Sequence, residues 1–186
     1  MPRGVRSTRL FFFGKENKKE NGMEREMRRK ERLVADVSRI YDILARCDTV
    51  CLGLNGETEP YVIPMTFGLA MENGKIAVYF HSAKGGRKWE ILNRDPRVCV
   101  EAHLYYKTVA GEKGVTALYE SVIGTGVAEK IETKEEKVAA FRIMLARYKQ
   151  SGFPASSCKG LPDAEVFRVV LNEVKGKHNI PEEGTL

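Results

Sequence analysis

The chain has 186 residues, which is enough for one domain with a sizeable core and too few for two ordinary domains. Its net charge of +6 lies at the N-terminus, because residues 1–32 hold 11 Lys and Arg against 5 Asp and Glu, and the remaining residues hold 20 of each. A neutral body argues against a polyanion such as nucleic acid as the main partner, and the absence of any apolar stretch near twenty residues excludes a membrane-spanning helix.

The same charge distribution divides the chain into three parts. Residues 1–22 are dense in charge and show no lasting periodicity, so we expect a disordered basic tail. Patterned sequence predicts one domain over residues 23–180, followed by a short C-terminal tail at residues 181–186.

The four cysteines give no sign of a metal site. They form no Cys-x-x-Cys pair, and no histidine stands at zinc-ligand spacing from Cys47, Cys51, Cys99 or Cys158. Buried free thiols are typical of proteins in a reducing compartment, so we expect a cytoplasmic protein without a bound metal.

The first predicted elements are a helix and a hairpin. An amphipathic helix is expected from Asp36 to Arg46, with Asp36 as its cap. Residues 50–54 and 61–67 have strand composition and are joined through an Asn-Gly turn, which is typical of a hairpin. Pro64 lies in the second strand and predicts an edge or broken position, because proline donates no hydrogen bond to a ladder.

The rest of the chain alternates strands and helices. Thr133 and Glu136 have the spacing of a capping box and predict the start of a helix. In chain order we expect a strand at 76–80 after a turn at 72–75, a short helix at 89–95 stopped by Pro96, a strand at 97–105, a loop at 107–117, a long strand at 119–131, a helix at 134–149 and a final strand at 165–174. About six strands and three helices in this order predict a mainly β (α+β) fold, an antiparallel barrel with flanking helices.

The most informative motif is the run HSAKGGRK at residues 81–88, where a predicted strand turns into a predicted helix. A helix N-terminus carries a partial positive charge, so Arg87 and Lys88 are unfavourable there unless an anion neutralises them. A phosphate would do so through backbone N–H groups and both side chains. The alternative is structural: Ser82 caps the helix, and the two basic side chains point into water.

Four stretches occur in an order that resembles a known family. They are PYVIPMTFG at 60–68, YFHSA with GRK at 79–88, NRDPRVC at 93–99 and SVIGTG at 121–126. Together they resemble the FMN-binding split barrels related to pyridoxamine 5'-phosphate oxidase, and they are most similar to the nitroimidazole-resistance (Nim-like) branch. The resemblance implies a six-stranded antiparallel split β-barrel of Greek-key type, with about three helices.

The resemblance also implies a homodimer that holds FMN between its subunits. Arg87, Lys88 and Ser82 match the family's phosphate-binding positions, and His81 falls where the family contacts the flavin. By the same resemblance, Met65 and Thr66 lie along the isoalloxazine edge, and Ser121 is the polar position of the long strand.

Two departures separate this chain from pyridoxamine 5'-phosphate oxidase proper, so we do not expect vitamin B6 oxidation. The stretch Val62–Thr66 lacks the family's Arg and Lys, and the C-terminal segment lacks an Arg-x-His-type motif. The resemblance therefore implies an FMN-dependent oxidoreductase that reduces small electron-poor compounds such as nitroimidazoles or other nitroaromatics, with NAD(P)H or another electron donor. The alternative is a non-catalytic flavin- or haem-binding split-barrel protein.

For the histidines and for the aromatic residues Trp89, Tyr105 and Tyr106, a structural role is an alternative to a role in the site. His81 is a weak catalytic candidate, since a lone histidine at a strand end is commonly structural. Trp89 is interpreted as core or interface packing, and Tyr105 and Tyr106 as strand-end or interface aromatics with a smaller chance of lining the substrate slot. We assign no role to His103 and His178.

Overall fold

A computed structural model of the chain describes residues 27–111 and 114–180. The expected tails at 1–22 and 181–186 lie outside the described residues. The described helices are α1 (Val37–Arg46), α2 (Arg87–Arg94) and α3 (Lys134–Arg147). The described strands are β1 (Leu33–Val34), β2 (Val50–Leu54), β3 (Tyr61–Met65), β4 (Gly68–Glu72), β5 (Lys75–Ala83), β6 (Arg97–Gly111), β7 (Gly114–Ile131), β8 (Ala164–Val170) and β9 (Glu173–Asn179).

The strands form one antiparallel sheet, and the strands at its two ends, β3 and β4, follow each other in the sequence. The path runs β3-β2-β6-β7-β8-β5-β4, and β9 pairs with β7 and β1. Strands from both halves of this path share one core: Leu52 of β2 and Phe80 of β5 are fully buried in the same cluster, with Ile40 of α1. The sheet therefore curves around a common interior, which confirms the mainly β, antiparallel class with three flanking helices.

A seam lies between the ends of the path. Consecutive strands β3 and β4 stand at opposite ends, and only Thr66 and Phe67 connect them. Pro64 lies in the edge strand β3, as its missing N–H predicted. A second cluster of buried residues, including Tyr79, Phe141 and Val166, packs α3 against the outside of β5 and β8.

The helix caps follow the sequence. The Asp36 carboxylate accepts a hydrogen bond from Arg39 N at 2.8 Å and begins α1. Thr133 Oγ1 accepts a hydrogen bond from Glu136 N at 3.3 Å, and the same hydroxyl donates to the Glu136 carboxylate at 2.6 Å. Both predicted helix starts are confirmed.

Three expectations about the strands are corrected, so that the described residues contain nine strands instead of about six. The loop expected at 107–117 is the outer part of the β6–β7 hairpin, which stays paired from Tyr105–Tyr119 to Gly111–Gly114 past an irregularity at Tyr106. The strand expected at 61–67 ends at Met65 and is followed by the separate strand β4. The final strand expected at 165–174 is two strands, β8 and β9. Short connections between antiparallel neighbours leave little signal in hydrophobic patterning.

Candidate cofactor site

The turn between β5 and α2 is shaped by two glycines. Gly85 and Gly86 have φ angles of 99° and 81°, a region that strongly favours glycine. Gly86 is the N-cap of α2 and supplies no side-chain acceptor to the first N–H groups. The structure corrects the capping alternative, because the Ser82 hydroxyl donates to Ala83 O at 3.0 Å instead. The start of α2 is therefore free of a side-chain cap.

Two cations stand at this helix start with different neighbours. Arg87 is half-exposed, lies 4.6 Å from the centre of the Tyr61 ring and forms an ion pair with Glu59. Lys88 is half-buried, and within residues 27–111 and 114–180 its ammonium donates only to the Met65 sulfur, at 3.2 Å. We call these five residues the α2 cluster; within it Lys88 has no carboxylate partner.

The environment of Lys88 acts on two titrating groups. Burial lowers the pKa of Lys88, because a low-dielectric surrounding disfavours the charged ammonium. The His81 ring lies 5.3 Å from the Phe141 ring, and partial burial together with the charge of Lys88 lowers the pKa of His81. Both effects favour the neutral imidazole of His81, which can act as a hydrogen-bond donor or acceptor.

The remaining predicted site residues occupy three different environments. Ser82 is buried, with 5 % of its surface exposed, on the interior face of β5. Thr66 is exposed in the seam, directly after Met65. Ser121 is elsewhere, in the middle of β7, paired with His103 of β6 and Lys177 of β9. The chain thus brings Lys88 into contact with Met65 and places Arg87 next to Lys88 at the start of α2, but it does not bring Ser121 to them.

Ser121 belongs to an outward-facing surface of β3, β6 and β7, which we call the outer face. By strand register this face also carries four large exposed apolar side chains, namely Val62, Tyr105, Ile123 and Val127, with exposures of 63 %, 61 %, 54 % and 43 %. A groove of about 590 Å³ lies on the same face, lined among others by Cys99, Thr125 and Val127, and not at the α2 cluster. Exposed apolar surface of this extent is typical of an interface.

Residues 36–178 match the family described as pyridoxamine 5'-phosphate oxidase. The chain belongs to the pyridoxamine 5'-phosphate oxidase family. Its blocks at 60–68 and 79–88, which carried the resemblance, form β3 with the seam and the β5–α2 turn.

Solved structures of the same fold support this membership. One is named "putative 5-nitroimidazole antibiotic resistance protein" and comes from Bacteroides thetaiotaomicron; it has 31% sequence identity and a TM-score of 0.67, over 78% of this chain and 85% of that chain. A FAD- and haem-binding protein from Mycobacterium smegmatis has 17% identity and a TM-score of 0.69, over 82% of this chain and 77% of its own. The flavocytochrome Anf3 from Azotobacter vinelandii has 18% identity and a TM-score of 0.69, over 85% and 76%. The latter two share the fold alone, and no curated protein matches the chain.

Two residues at the end of α3, Arg147 and Tyr148, contact Phe67 in the seam. The sequence analysis did not predict these contacts. The Tyr148 hydroxyl accepts a hydrogen bond from Phe67 N at 3.0 Å and donates to Asp48 O at 2.8 Å. The Arg147 guanidinium lies 4.8 Å from the centre of the Phe67 ring and donates to backbone carbonyls at the end of α1. No local pattern signals these contacts, because about 100 residues of chain separate the α3 residues from their α1 and Asp48 partners.

Glu120 forms a second polar cluster that the sequence did not indicate. Its carboxylate is 4 % exposed and accepts hydrogen bonds from Arg46 Nη2 at 2.5 Å and from the Tyr106 hydroxyl at 2.6 Å. Burial alone would raise the pKa of Glu120, but these hydrogen bonds and the charge of Arg46 bring it below its usual value. Tyr106 thus joins the β6–β7 hairpin to the end of α1. The strand-end interpretation of Tyr105 and Tyr106 is wrong, because β6 continues to Gly111 and both residues lie within it. Their interpretation as interface aromatics stays a prediction.

The described residues also show a buried indole without an acceptor, no metal-binding cluster and no membrane-spanning helix. The indole N–H of Trp89 is buried and finds no acceptor within residues 27–111 and 114–180. In the same ranges, no group of three or more His, Cys, Asp or Glu side chains could hold a metal ion. None of the described helices is both long and apolar enough to cross a membrane.

Proposed function

We propose that this chain is an FMN-dependent oxidoreductase that acts as a homodimer on small electron-poor compounds, with nitroimidazoles or other nitroaromatics as the substrate class. The proposal is carried by the start of α2, where Arg87 and Lys88 stand at the positive end of a helix that has no side-chain cap. Two cations at that end are unfavourable, and among the described residues only Arg87 has a carboxylate, that of Glu59, to offset its charge. A phosphate monoester meets both the charges and the free N–H groups.

The residues around the α2 cluster also fit the rest of FMN. Arg87 keeps Nε and Nη1 free of partners among the described residues, so its guanidinium can donate to phosphate oxygens. Among the described residues the edge strand β3 pairs only with β2, so its other side offers backbone groups beside Met65 and Thr66 that no described strand pairs with. When bound, FMN supplies hydride transfer, while the chain binds the phosphate, orients the ring and excludes water.

The homodimer is supported by the outer face. A second copy of the chain would cover Val62, Tyr105, Ile123 and Val127, whose exposed area is costly in water. It would also account for Ser121, which lies on this face and away from the α2 cluster of its own chain. We therefore propose that each flavin contacts the α2 cluster of one protomer and the Ser121 region of its partner.

The substrate class is supported by one relative. The Bacteroides thetaiotaomicron protein, at 31% identity, has 5-nitroimidazole antibiotic resistance in its name. The neighbours that bind FAD or haem are less than 20% identical, and they support flavin or haem binding only through the shared fold. These neighbours leave the non-catalytic module as the alternative that an experiment must separate.

The cofactor experiment starts from the purified full chain. It should be yellow and release FMN on denaturation, and Arg87→Ala with Lys88→Ala should abolish FMN retention without unfolding the protein. Arg94→Ala is the matched control, since Arg94 lies at the other end of α2 and pairs with Glu57. A colourless protein that gains no thermal stability from added FMN would contradict the proposal.

Two further measurements test activity and assembly. Bleaching of the flavin by NAD(P)H and its recovery on adding a nitroimidazole would support the oxidoreductase, whereas a yellow but inert protein would favour the non-catalytic module.

Ile123→Lys should convert the dimer to a monomer and weaken FMN binding, as measured by light scattering and FMN titration. Val115→Lys is the control, because Val115 is also exposed but lies near the tip of the β6–β7 hairpin.

A further inference from the structure

The loop between β2 and β3 is acidic and contacts α2 at two points. The Glu59 carboxylate accepts a hydrogen bond from Arg87 Nη2, and Glu57 lies 3.9 Å from the Arg94 guanidinium. Arg94 also donates to Asn55 O at 2.9 Å, which ties the start of the loop to the end of the helix. The loop therefore places one carboxylate directly on a proposed phosphate-binding cation.

The loop's backbone fixes where Glu59 stands. A Cβ atom at Gly56 would collide with the Glu59 carbonyl oxygen, so only glycine fits the tight approach between these two residues. The Glu59 side chain is held by Thr58, whose hydroxyl donates to the oxygen that does not contact Arg87. Hydrogen bonds from Thr58 and Arg87 lower the pKa of Glu59, so the carboxylate is charged at neutral pH.

We infer that Glu59 competes with the phosphate of the ligand for Arg87 and so sets the affinity of the α2 cluster for phosphorylated flavin. This inference rests on the proposed function. The Glu59 carboxylate occupies Nη2 of Arg87, whereas the ammonium of Lys88 has only the Met65 sulfur as a partner among the residues that the structure describes. A phosphate either displaces Glu59 from Nη2 or binds Nε and Nη1 of Arg87 beside it, and in both cases it adds a new ion pair on Lys88.

The Arg87–Glu59 ion pair is exposed, so a phosphate can displace the Glu59 carboxylate from Arg87 easily. The side chains of Arg87 and Glu59 are 51% and 60% exposed. An exposed ion pair shifts an equilibrium by less than about fivefold, so a dianion that also pairs with Lys88 displaces it. If Glu59 stays near the bound phosphate, its charge repels the dianion and weakens binding further. Removing the charge should therefore tighten FMN binding by roughly threefold to tenfold.

The test is Glu59→Gln in the full chain, with Glu57→Gln as the matched control from the same loop. FMN and riboflavin are titrated against each protein, and binding is followed by quenching of Trp89, the only tryptophan and the neighbour of Lys88. We expect the FMN dissociation constant to fall about threefold to tenfold in Glu59→Gln and to stay unchanged in Glu57→Gln. The affinity for riboflavin, which has no phosphate, should be the same in all three proteins.

The outcomes separate this inference from the proposed function. Equal or weaker FMN binding by Glu59→Gln would overturn the competition, and weaker binding would make Glu59 a residue that orients Arg87 for the ligand. If no protein binds FMN, the proposed function fails, and inorganic phosphate replaces FMN as the probe, with the Arg87 side-chain N–H followed by NMR. A phosphate affinity that is unchanged by Glu59→Gln would then overturn the competition as well.

Discussion

Replacing Tyr148 by Phe removes a single oxygen that joins three parts of the fold. That oxygen accepts from Phe67 N in the seam and donates to Asp48 O after α1. The ring remains, so the change leaves no cavity and no altered packing volume. The variant therefore reports on the two hydrogen bonds alone.

The two bonds differ in what their loss costs. Phe67 is fully buried, so its N–H finds no water when the Tyr148 hydroxyl is removed, and an unsatisfied buried donor costs about 1–3 kcal/mol. Asp48 is exposed, so water can replace the lost donor at its carbonyl at little cost. We expect Tyr148→Phe to lower the free energy of unfolding by about 2 kcal/mol.

Urea unfolding measures this change, and Tyr41→Phe is the matched control. Tyr41 is also partly buried against the core, but its hydroxyl makes no hydrogen bond with the described residues, so its removal should cost less than about 0.5 kcal/mol. The midpoint should fall in Tyr148→Phe with an unchanged slope. A free energy of unfolding within about 0.5 kcal/mol of the unmodified chain would refute the reasoning, because the seam would then not depend on this contact.

Three other predictions test separate features of the fold. Asp36→Ala removes the cap of α1 and should cost about 1 kcal/mol in urea unfolding, whereas Asp42→Ala on the exposed side of the helix should cost little. Gly126→Ala should be destabilising by about 1–3 kcal/mol, since its Cβ would lie 2.5 Å from a β8 carbonyl oxygen; Gly152→Ala, with open space around it, should not. The Glu120 carboxylate has a lowered pKa in the fold, so its contribution is present above its ordinary value and is lost as the pH falls through the lower one. Glu120→Gln should therefore lower stability at pH 7 and show a weaker further loss below about pH 4.5 than the unmodified chain in acid titration followed by circular dichroism; equal acid sensitivity would refute this assignment.

The sequence predicts local features of this fold well. The caps at Asp36 and Thr133, the hairpin turn after β2 and the edge position of Pro64 depend on residues within a few positions of one another. The two glycines predicted at the turn before α2 lie there, with φ angles of 99° and 81°. Because each of these features depends on neighbouring residues in the sequence, hydrophobic pattern and residue propensity are enough to predict it.

What the sequence could not predict depends on contacts between distant residues. The split of residues 165–174 into β8 and β9 follows from their pairing with different partners, and polar residues inside a paired hairpin made 107–117 resemble a loop. At the candidate site, the Phe67–Tyr148 bond and the Glu59–Arg87 pair join residues that are 81 and 28 positions apart. The match of Ser121 with the family indicated a site residue, but only the sheet register shows that it stands apart from Arg87.

The seam between β3 and β4 affects how far the sequence can change while the fold is kept. A closed barrel pairs every backbone group with a neighbouring strand, whereas β3 has a described partner on one side only and keeps a row of backbone donors and acceptors on the other. Those groups are the same whichever side chains the strand carries, except at Pro64, which has no N–H. Recognition through such an edge survives substitution of nearly every side chain along it. Proteins with 17% and 18% identity to this chain keep the same architecture.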